Sequence, residues 1–304
     1  MTLSEILLQQ LANGLILGSF YALVALGYTM VYGIIKLLNF AHGDVYMVGA
    51  FVGFLSLGFV SPTLGAGWLG IAPAILFAMV TAGLLGMLIE RVAYRPMLAA
   101  PRLSILITAL AVSMVLENSV LAATGGQIEA FSTDLDFAGV DIGTVHITTT
   151  QMILVGSAFL LMAAMQAFVS RTLWGKAMRA IAIDTDACLL MGIDVNRVIA
   201  LTFFVGSALA GAAGVMAGVY YGSLYYFMGF LIGLKAFTAA VIGGIGSIPG
   251  AMLGGLVLGL LEAFGTQIQA LGTEWKDVFV FAILILLLVF RPTGLLGRPE
   301  VERM

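Results

Sequence analysis

The stretch IALTFFVGSALAGAAGVMAGVYY, residues Ile199–Tyr221, contains no charged side chain. About 20 consecutive apolar residues are enough for an α-helix to cross the hydrocarbon core of a bilayer. Its glycines and alanines are the small residues that let membrane helices pack closely. This stretch therefore predicts a transmembrane α-helix.

Eight further apolar segments occur along the chain. Residues Leu3–Gln10 either extend the first of them or lie in the membrane interface. The segment Phe230–Ile245 is short and flanked by glycines, so it is either a full span or a re-entrant or broken helix. We predict an all-α integral membrane protein, a polytopic bundle of about eight or nine transmembrane or re-entrant helices. The eight segments are Leu11–Ile34, Val45–Val60, Ile71–Ala93, Ile105–Ala123, Met152–Val169, Phe230–Ile245, Met252–Ala270 and Val278–Phe290.

The composition of the 304-residue chain agrees with a membrane environment. It is 61% hydrophobic and 10% charged, with a mean hydropathy of +1.11, against roughly 45–50% and about 25% in a soluble domain. We expect a single transmembrane domain, residues 1–304, and no soluble catalytic domain. The net charge of −3 argues against nucleic acid as a partner. The single cysteine excludes an internal disulfide, and the N-terminus lacks the basic region of a cleaved signal peptide.

Basic residues predict which side of the membrane each connection faces, because cytoplasmic connections are enriched in Lys and Arg. The opposite side carries the loop 125–150, which has acidic residues and no Lys or Arg. We expect a cytoplasmic C-terminus and, with nine spans, an extracytoplasmic N-terminus. The basic residues that alternate onto the cytoplasmic side are Lys36, Arg91, Arg95, Arg102, Arg171, Lys176, Arg179, Arg197, Arg291, Arg298 and Arg303.

The motifs of an enzyme are absent from the sequence. The pair Gly175-Lys176 lacks the flanking residues of a phosphate-binding loop. The glycine-rich GGIGSIPG at Gly243–Gly250 lies between apolar segments and indicates a tight turn. His42 and Asp44 could form a metal or acid–base pair, but a polar cap at the start of the second helix is the favoured interpretation. We therefore predict no catalytic site and no metal site.

One polar segment, RTLWGKAMRAIAIDTDACLLMGIDVNR at Arg171–Arg197, interrupts the apolar chain. It contains the pattern of a short amphipathic helix over Thr185–Met191. Asp184 or Thr185 would cap the start of this helix, and Gly192 would end it. Such a helix either lies on the membrane surface or docks into a groove of a soluble partner, and the pattern favours neither. The positions with helical spacing are Ala187, Leu190 and Met191.

The same segment resembles a known signature. Asp186-Ala187-Cys188-x-x-x-Gly192 has the spacing of the E-A-A-x-x-x-G motif in permease subunits of ABC importers, with Asp for Glu and Cys for the second Ala. Longer blocks resemble the LivH-type permease of branched-chain amino acid ABC importers. They are GLILGSFYALVALGYTMVYGIIKLLNFAHGD at Gly14–Asp44, RAIAIDTDACLLMGID at Arg179–Asp194, GLKAFTAAVIGGIGSIPGAMLGG at Gly233–Gly255 and FRPTGLLG at Phe290–Gly297.

In that family the signature forms a coupling helix that docks on an ATPase subunit. The resemblance implies that the coupling residues of this chain are Asp184, Thr185, Asp186, Ala187, Cys188, Leu190, Met191 and Gly192.

The resemblance also implies an assembly in the bacterial cytoplasmic (inner) membrane. The chain would pair with a LivM-type permease or with a copy of itself, above two cytoplasmic ABC ATPases. Those ATPases would bind ATP and Mg, so this chain would carry no cofactor. A periplasmic or lipid-anchored solute-binding protein would deliver the amino acid. Permeases for urea, amides and other amino acids belong to the same wider family, so these substrates remain alternatives.

Several polar residues lie within or next to the apolar segments, where ionisable groups are costly and often functional. Lys235 is expected to pair with Glu262 or Glu117, because an unpaired buried charge is expensive. These residues either line a pathway or form structural contacts. The full set is Glu117, Asn118, Lys235, Glu262, Asn39, His42 and Asp44.

A second class of transporter uses the same charges differently. In an autonomous ion-coupled secondary transporter, Glu117, Lys235 and Glu262 would form the ion relay. Uptake by this chain alone, without ATP, would distinguish that mechanism from an ABC importer. A structural membrane scaffold is the least favoured alternative, because intramembrane charges and small-residue helices suit a moving pathway better.

Overall fold

The computed structural model describes residues 3–98, 100–135, 139–142, 145–267, 275–291 and 293–297. The described residues form a helical bundle, and seven helices are long and apolar enough to cross a membrane. The α-helices are α1 (Leu3–Ile35), α2 (His42–Leu64), α3 (Trp68–Ile89), α4 (Arg102–Thr124), α5 (Thr149–Arg171), α6 (Leu173–Ile181), α7 (Thr185–Leu190), α8 (Val195–Tyr221), α9 (Met228–Gly243), α10 (Ile248–Gly265) and α11 (Lys276–Phe290).

Each of the nine predicted apolar segments contains a helix, so the predicted helical membrane fold is confirmed. Residues Leu3–Gln10 extend α1 rather than forming a separate interfacial helix. The helix α9 has only 16 residues, fewer than the roughly 20 needed for a complete span. Ser247 caps α10 by accepting a hydrogen bond from the Gly250 N–H, and Pro249 lies at the start of the helix. The glycine-rich segment Gly243–Gly250 thus contains the turn that was predicted there.

Four short strands were not predicted. Strand β1 (Glu129–Ala130) pairs with β4 (Ser223–Leu224), and β2 (Gly139–Ile142) pairs antiparallel with β3 (Val145–Thr148). Three of them lie in the predicted loop 125–150, and β4 connects α8 to α9. The end of the bundle that carries these strands is called the sheet end.

The opposite end, called the basic end, carries most of the predicted cytoplasmic cations. At this end Gly33 of α1 lies beside Gly246, and Gly244 contacts Gly294 and Gly297, so the termini of α1, α9, α10 and α11 meet there. The basic residues described at this end are Lys36, Arg91, Arg95, Arg171, Lys176, Arg179, Arg197 and Arg291.

Helix α1 is the centre of the bundle and is buried along most of its length. Its glycines let neighbouring backbones approach closely. A Cβ atom on Gly18 would lie 2.8 Å from the Cα of Leu256 in α10. Gly27 faces Gly206 of α8 in the same way. The small-residue pairs in the sequence therefore mark close helix crossings, as in other membrane bundles.

Gly49→Ala is expected to destabilise the bundle, whereas Gly58→Ala in the same helix is not. A Cβ atom on Gly49 would lie 2.5 Å from the backbone Cα of Gly211, but Gly58 has no neighbour within 4 Å. Overpacking of this kind typically costs about 1–3 kcal/mol. Thermal unfolding of the purified variants in detergent would measure the difference. Equal stability of the two variants would contradict the close crossing of α2 and α8.

Candidate functional site

The polar segment between α5 and α8 folds into two short helices, α6 and α7, at the basic end. Sequence analysis predicted α7 but not α6. Thr172 is the N-cap of α6, and its hydroxyl accepts a hydrogen bond from the Gly175 N–H. Its buried residues Gly175, Met178 and Ile181 pack against the bundle. Their spacing of three residues is the signal in the sequence from which α6 could have been predicted.

Helix α7 has well-formed ends, as predicted. The Asp184 carboxylate accepts a hydrogen bond from the Ala187 N–H at 2.9 Å, so Asp184 rather than Thr185 is the N-cap. Gly192 has φ +80° and donates to Leu189 O, while Ile193 donates to Cys188 O. This pair of bonds is a Schellman motif, which needs a left-handed residue at the position of Gly192.

The two departures from the family signature fit their environments in α7. Cys188 is 5% exposed and faces the bundle, where a small apolar side chain is required. Asp186 lies exposed in the first turn of the helix, where an acidic side chain interacts favourably with the helix dipole. The replacement at Cys188 is therefore buried, and the replacement at Asp186 keeps the negative charge on the exposed surface of the helix.

The opposite face of α7 is apolar and points away from the bundle. Leu190 is 90% exposed and Met191 81% exposed. Ala187 is exposed one turn earlier in the helix, and Ile183 is exposed in the turn just before it. Large exposed apolar side chains on a polar connection are typical of a protein interaction surface. These four residues are called the α7 face.

A small, open cavity of about 80 Å³ lies between α6 and the bundle. Thr29 and Gly33 of α1, Arg179 of α6 and Gly246 line it together with neighbouring apolar residues. The segment α6–α7 is therefore attached to the core beside the basic end of α1.

Lys235, Glu262 and Asp277 form a buried ion cluster that joins α9, α10 and α11. Lys235 Nζ donates a hydrogen bond to Glu262 Oε1 at 2.8 Å. It also forms an ion pair with Asp277, whose Oδ1 lies 2.7 Å away. Tyr21 of α1 donates to Glu262 Oε2 at 2.7 Å.

The predicted pairing of Lys235 with Glu262 is confirmed, and the alternative pairing with Glu117 is not found. Asp277 was missed because it lies 42 positions from Lys235 at the start of another helix. Glu117 lies on α4, separate from this cluster, so the three charges of an ion relay are not brought together in the described structure.

The segment NFAHGD between α1 and α2 enters the interior of the bundle. Helix α2 begins at His42, and His42 Nε2 contacts the backbone position of Gly27. Gly27 lies eight residues before the end of α1, which corresponds to about 12 Å along the helix axis. The start of α2 is therefore near the middle of the bundle. Asn39 is buried there and accepts a hydrogen bond from Tyr94 Oη at 2.7 Å.

The interpretation of His42 and Asp44 as a polar cap is confirmed only in that Asp44 lies in the first turn of α2. Ala41 is the N-cap of α2 and makes no side-chain capping bond. Asp44 does lie in the first turn, but its Oδ2 accepts a hydrogen bond from Ser113 of α4. His42 packs edge-on against the ring of Tyr28, 4.9 Å between centroids. Both polar residues are directed into the bundle, and Asn39 and Ala41 just before α2 are buried as well.

Glu117 and Asn118 differ in orientation although they are neighbours. Glu117 is partly buried and lies one turn beyond Ser113, on the side of α4 that faces α2. Asn118 is exposed, and its side chain donates to the backbone of Met114 in the preceding turn. Glu117 therefore belongs to the neighbourhood of Asp44, and Asn118 does not.

Among the described residues, no group of three or more His, Cys, Asp or Glu side chains is arranged to hold a metal ion.

Comparison with known proteins agrees with this geometry. A family model described as the permease component of branched-chain amino acid transport systems matches residues 10–288. The permease protein BraD of a high-affinity branched-chain amino acid transport system in Pseudomonas aeruginosa is 47% identical over 306 residues, covering 98% of each chain.

Two further relatives extend the comparison. The corresponding LivH protein of Escherichia coli is 48% identical over 303 residues, or 98% of this chain and 97% of the relative. The probable LivH permease of Methanocaldococcus jannaschii is 28% identical over 295 residues, or 94% and 91%. With a helical bundle of several membrane spans and relatives matched over nearly their full length, this chain belongs to the family of branched-chain amino acid transport system permease components.

Proposed function

We propose that this chain forms part of the translocation pathway of an ABC importer for branched-chain amino acids. The observation that carries the proposal is the α7 face, which presents Leu190 and Met191 outside the bundle on a helix with two defined ends. An amphipathic helix of this kind binds by inserting its apolar residues into a groove of a partner. The substrate class is supported by relatives that are 47% and 48% identical along the whole chain.

The proposed assembly follows from the orientation of the charges. The basic end faces the cytoplasm because Lys and Arg are enriched in cytoplasmic connections. That orientation places the C-terminus in the cytoplasm and, with nine helical passes, the N-terminus outside. Two ATPase subunits bind ATP and Mg below the α7 face, so this chain itself needs no cofactor. The sheet end faces the periplasmic or lipid-anchored solute-binding protein.

A second permease completes the pathway in the cytoplasmic membrane of a bacterium. It is a related LivM-type chain or a second copy of this chain. Helix α4 supports a partner, because most of its length is exposed and its main contacts among the described residues are with α2 and Glu90–Tyr94. The ion-coupled mechanism is disfavoured, because Glu117 lies apart from Lys235 and Glu262.

Uptake of radiolabelled leucine by the reconstituted complex tests the proposal. Proteoliposomes that contain this chain, its second permease and the ATPases should accumulate leucine only with ATP inside and loaded binding protein outside. Radiolabelled urea serves as the comparison substrate. ATP-independent uptake by this chain alone, or a preference for urea, would contradict the proposal.

A further inference from the structure

Two carboxylates inside the bundle, the buried Asp44 and the partly buried Glu117, are not part of the ion cluster around Lys235. Asp44 is 1% exposed, and its Oδ2 accepts the hydrogen bond of Ser113. Its Oδ1 is buried and has no hydrogen-bond partner among the described residues, and the same holds for Glu117 Oε1. A carboxylate oxygen in a membrane interior is costly unless a donor or a cation meets it.

The free oxygen of Asp44 faces the start of α9. A Cβ atom on Gly229 would lie 2.7 Å from Asp44 Oδ1. Gly43 touches the backbone of Gly229 and Gly233, so no side chain separates the first turn of α2 from the first turn of α9. Both helices therefore begin at the same depth, and their N-terminal turns meet beside the carboxylate.

The first turn of α9 provides groups of opposite polarity. Its N-cap residue, Phe227, makes no side-chain capping bond. The N–H of Met228 donates to Tyr225 O. The N–H groups that follow it in the first turn have no partner within the helix, and they carry the positive end of its dipole. Helices that begin inside a transporter commonly direct these groups at an anionic part of the substrate. A negative group and a positive group thus lie side by side.

We propose that Asp44 and Glu117 bind the ammonium group of the transported amino acid, while the N-terminal turn of α9 faces its carboxylate. This inference rests on the proposed transport function and specifies where the pathway recognises its substrate. Ammonium donates up to three hydrogen bonds, which satisfy the free oxygens of Asp44 and Glu117. A neutral solute such as urea offers no such charge, so the site favours an amino acid over urea or an amide.

Closed packing between Gly43 and Gly229 keeps the site shut in this conformation. Because the contact is between glycine backbones, separation of α2 from α9 opens the site without moving a bulky side chain. Lys235 lies two turns further along α9, with its charge already neutralised by Glu262 and Asp277. The carboxylates of Asp44 and Glu117 are therefore free to bind a cation.

Equilibrium binding of radiolabelled leucine to the purified complex, without the solute-binding protein, tests this proposal. The wild-type complex should bind leucine saturably, with a dissociation constant of at most about 10 mM. The 2-hydroxy analogue of leucine, which lacks the ammonium group, should compete at least roughly tenfold less well than leucine. This comparison uses the wild-type protein and does not depend on how a variant folds.

Two variants locate the site. Asp44→Asn retains an oxygen that accepts the Ser113 hydrogen bond but removes the charge, and Glu117→Gln does the same on α4. Each should weaken leucine binding roughly ten- to a hundredfold, the equivalent of a lost charge-assisted hydrogen bond. Glu129→Gln in β1, outside the helices, is the matched control and should bind like wild type. If the Asp44→Asn complex does not assemble, the leucine affinity of the Glu117→Gln complex tests the proposal in its place.

Three results would overturn the proposal. They are a wild-type complex without saturable leucine binding, equal competition by the 2-hydroxy analogue, and wild-type affinity in the assembled carboxylate variants. Leucine uptake by the wild-type proteoliposomes distinguishes failure of the proposed binding site from failure of the proposed transport function. If uptake occurs and any of these three results is found, the site is wrong although the transport function stands. If uptake fails, the transport function itself is wrong.

Discussion

Leu190→Asp is expected to lower the affinity of this chain for its ATPase subunit at least roughly tenfold and to reduce ATP-driven leucine uptake in parallel. Leu190 is 90% exposed on the α7 face, so the substitution leaves the bundle intact. A carboxylate in an apolar groove is desolvated without a partner, and interface residues of this kind contribute about 2 kcal/mol or more. Co-purification of the ATPase with the tagged permease measures the loss.

The matched control is Asn196→Asp, which adds the same charge in the first turn of α8. Asn196 is exposed at the same end of the bundle but outside the α7 face. An acidic residue is favourable at the start of a helix, so this variant should fold and bind the ATPase normally. Equal loss in both variants would show that charge at this end, not the α7 face, controls binding.

Gly192→Pro gives an independent check of the same helix. Proline fixes φ near −65° and has no N–H, whereas Gly192 has φ +80° and donates to Leu189 O. The end of α7 must therefore unwind and displace the α7 face. ATPase binding should fall while membrane insertion is unchanged. Normal ATPase binding by this variant would contradict the coupling role of α7.

Lys235→Met is expected to destabilise the bundle by about 3–5 kcal/mol, because it removes the cation between two buried or half-buried carboxylates. In the wild-type protein Lys235 Nζ lies 2.8 Å from the Glu262 carboxylate and 2.7 Å from the Asp277 carboxylate. In the variant Glu262 would keep the hydrogen bond from Tyr21, but no cation would separate it from Asp277. The connection of α9 to α10 and α11 should then loosen. Thermal or denaturant unfolding of the purified protein in detergent measures this change.

Two comparisons isolate the ion cluster. Lys176→Met removes an exposed lysine at the basic end and should leave the stability within about 0.5 kcal/mol of wild type. The double variant Lys235→Met with Glu262→Gln should be less destabilised than Lys235→Met alone, because the charge that needs the lysine is also removed. A fully additive double variant would argue against a direct interaction.

Most helices of this protein could be predicted from the sequence alone. Long apolar segments such as Ile199–Tyr221 must be helical in lipid, because every backbone N–H and C=O needs a partner within the segment. The short helix α7 was also predictable, since Asp184 and Gly192 satisfy its ends through contacts within a few residues. The distribution of Lys and Arg predicted which connections share one end.

The hydrogen-bond partners of the buried polar side chains could not be predicted from the sequence. Tyr21 donates to Glu262 across 241 positions and Tyr94 donates to Asn39 across 55. Hydropathy and helical periodicity describe one segment at a time. They therefore show that a charged residue lies in a helix, but they do not predict which residue of another helix it contacts. The predicted side-chain cap at His42 and Asp44 failed for the same reason, because Asp44 instead accepts a hydrogen bond from Ser113, 69 positions away.

The sequence by itself therefore determined that this chain is a helical membrane protein with one polar, capped helical segment, because lipid and local hydrogen bonding impose those features on each segment separately. Only the tertiary structure decided that α2 and α9 begin side by side within the bundle, leaving Asp44 Oδ1 directed at Gly229. The position at which each helix begins depends on glycine contacts between helices that are far apart in the chain. Each contact involves the backbones of two helices, so neither stretch of sequence predicts it alone.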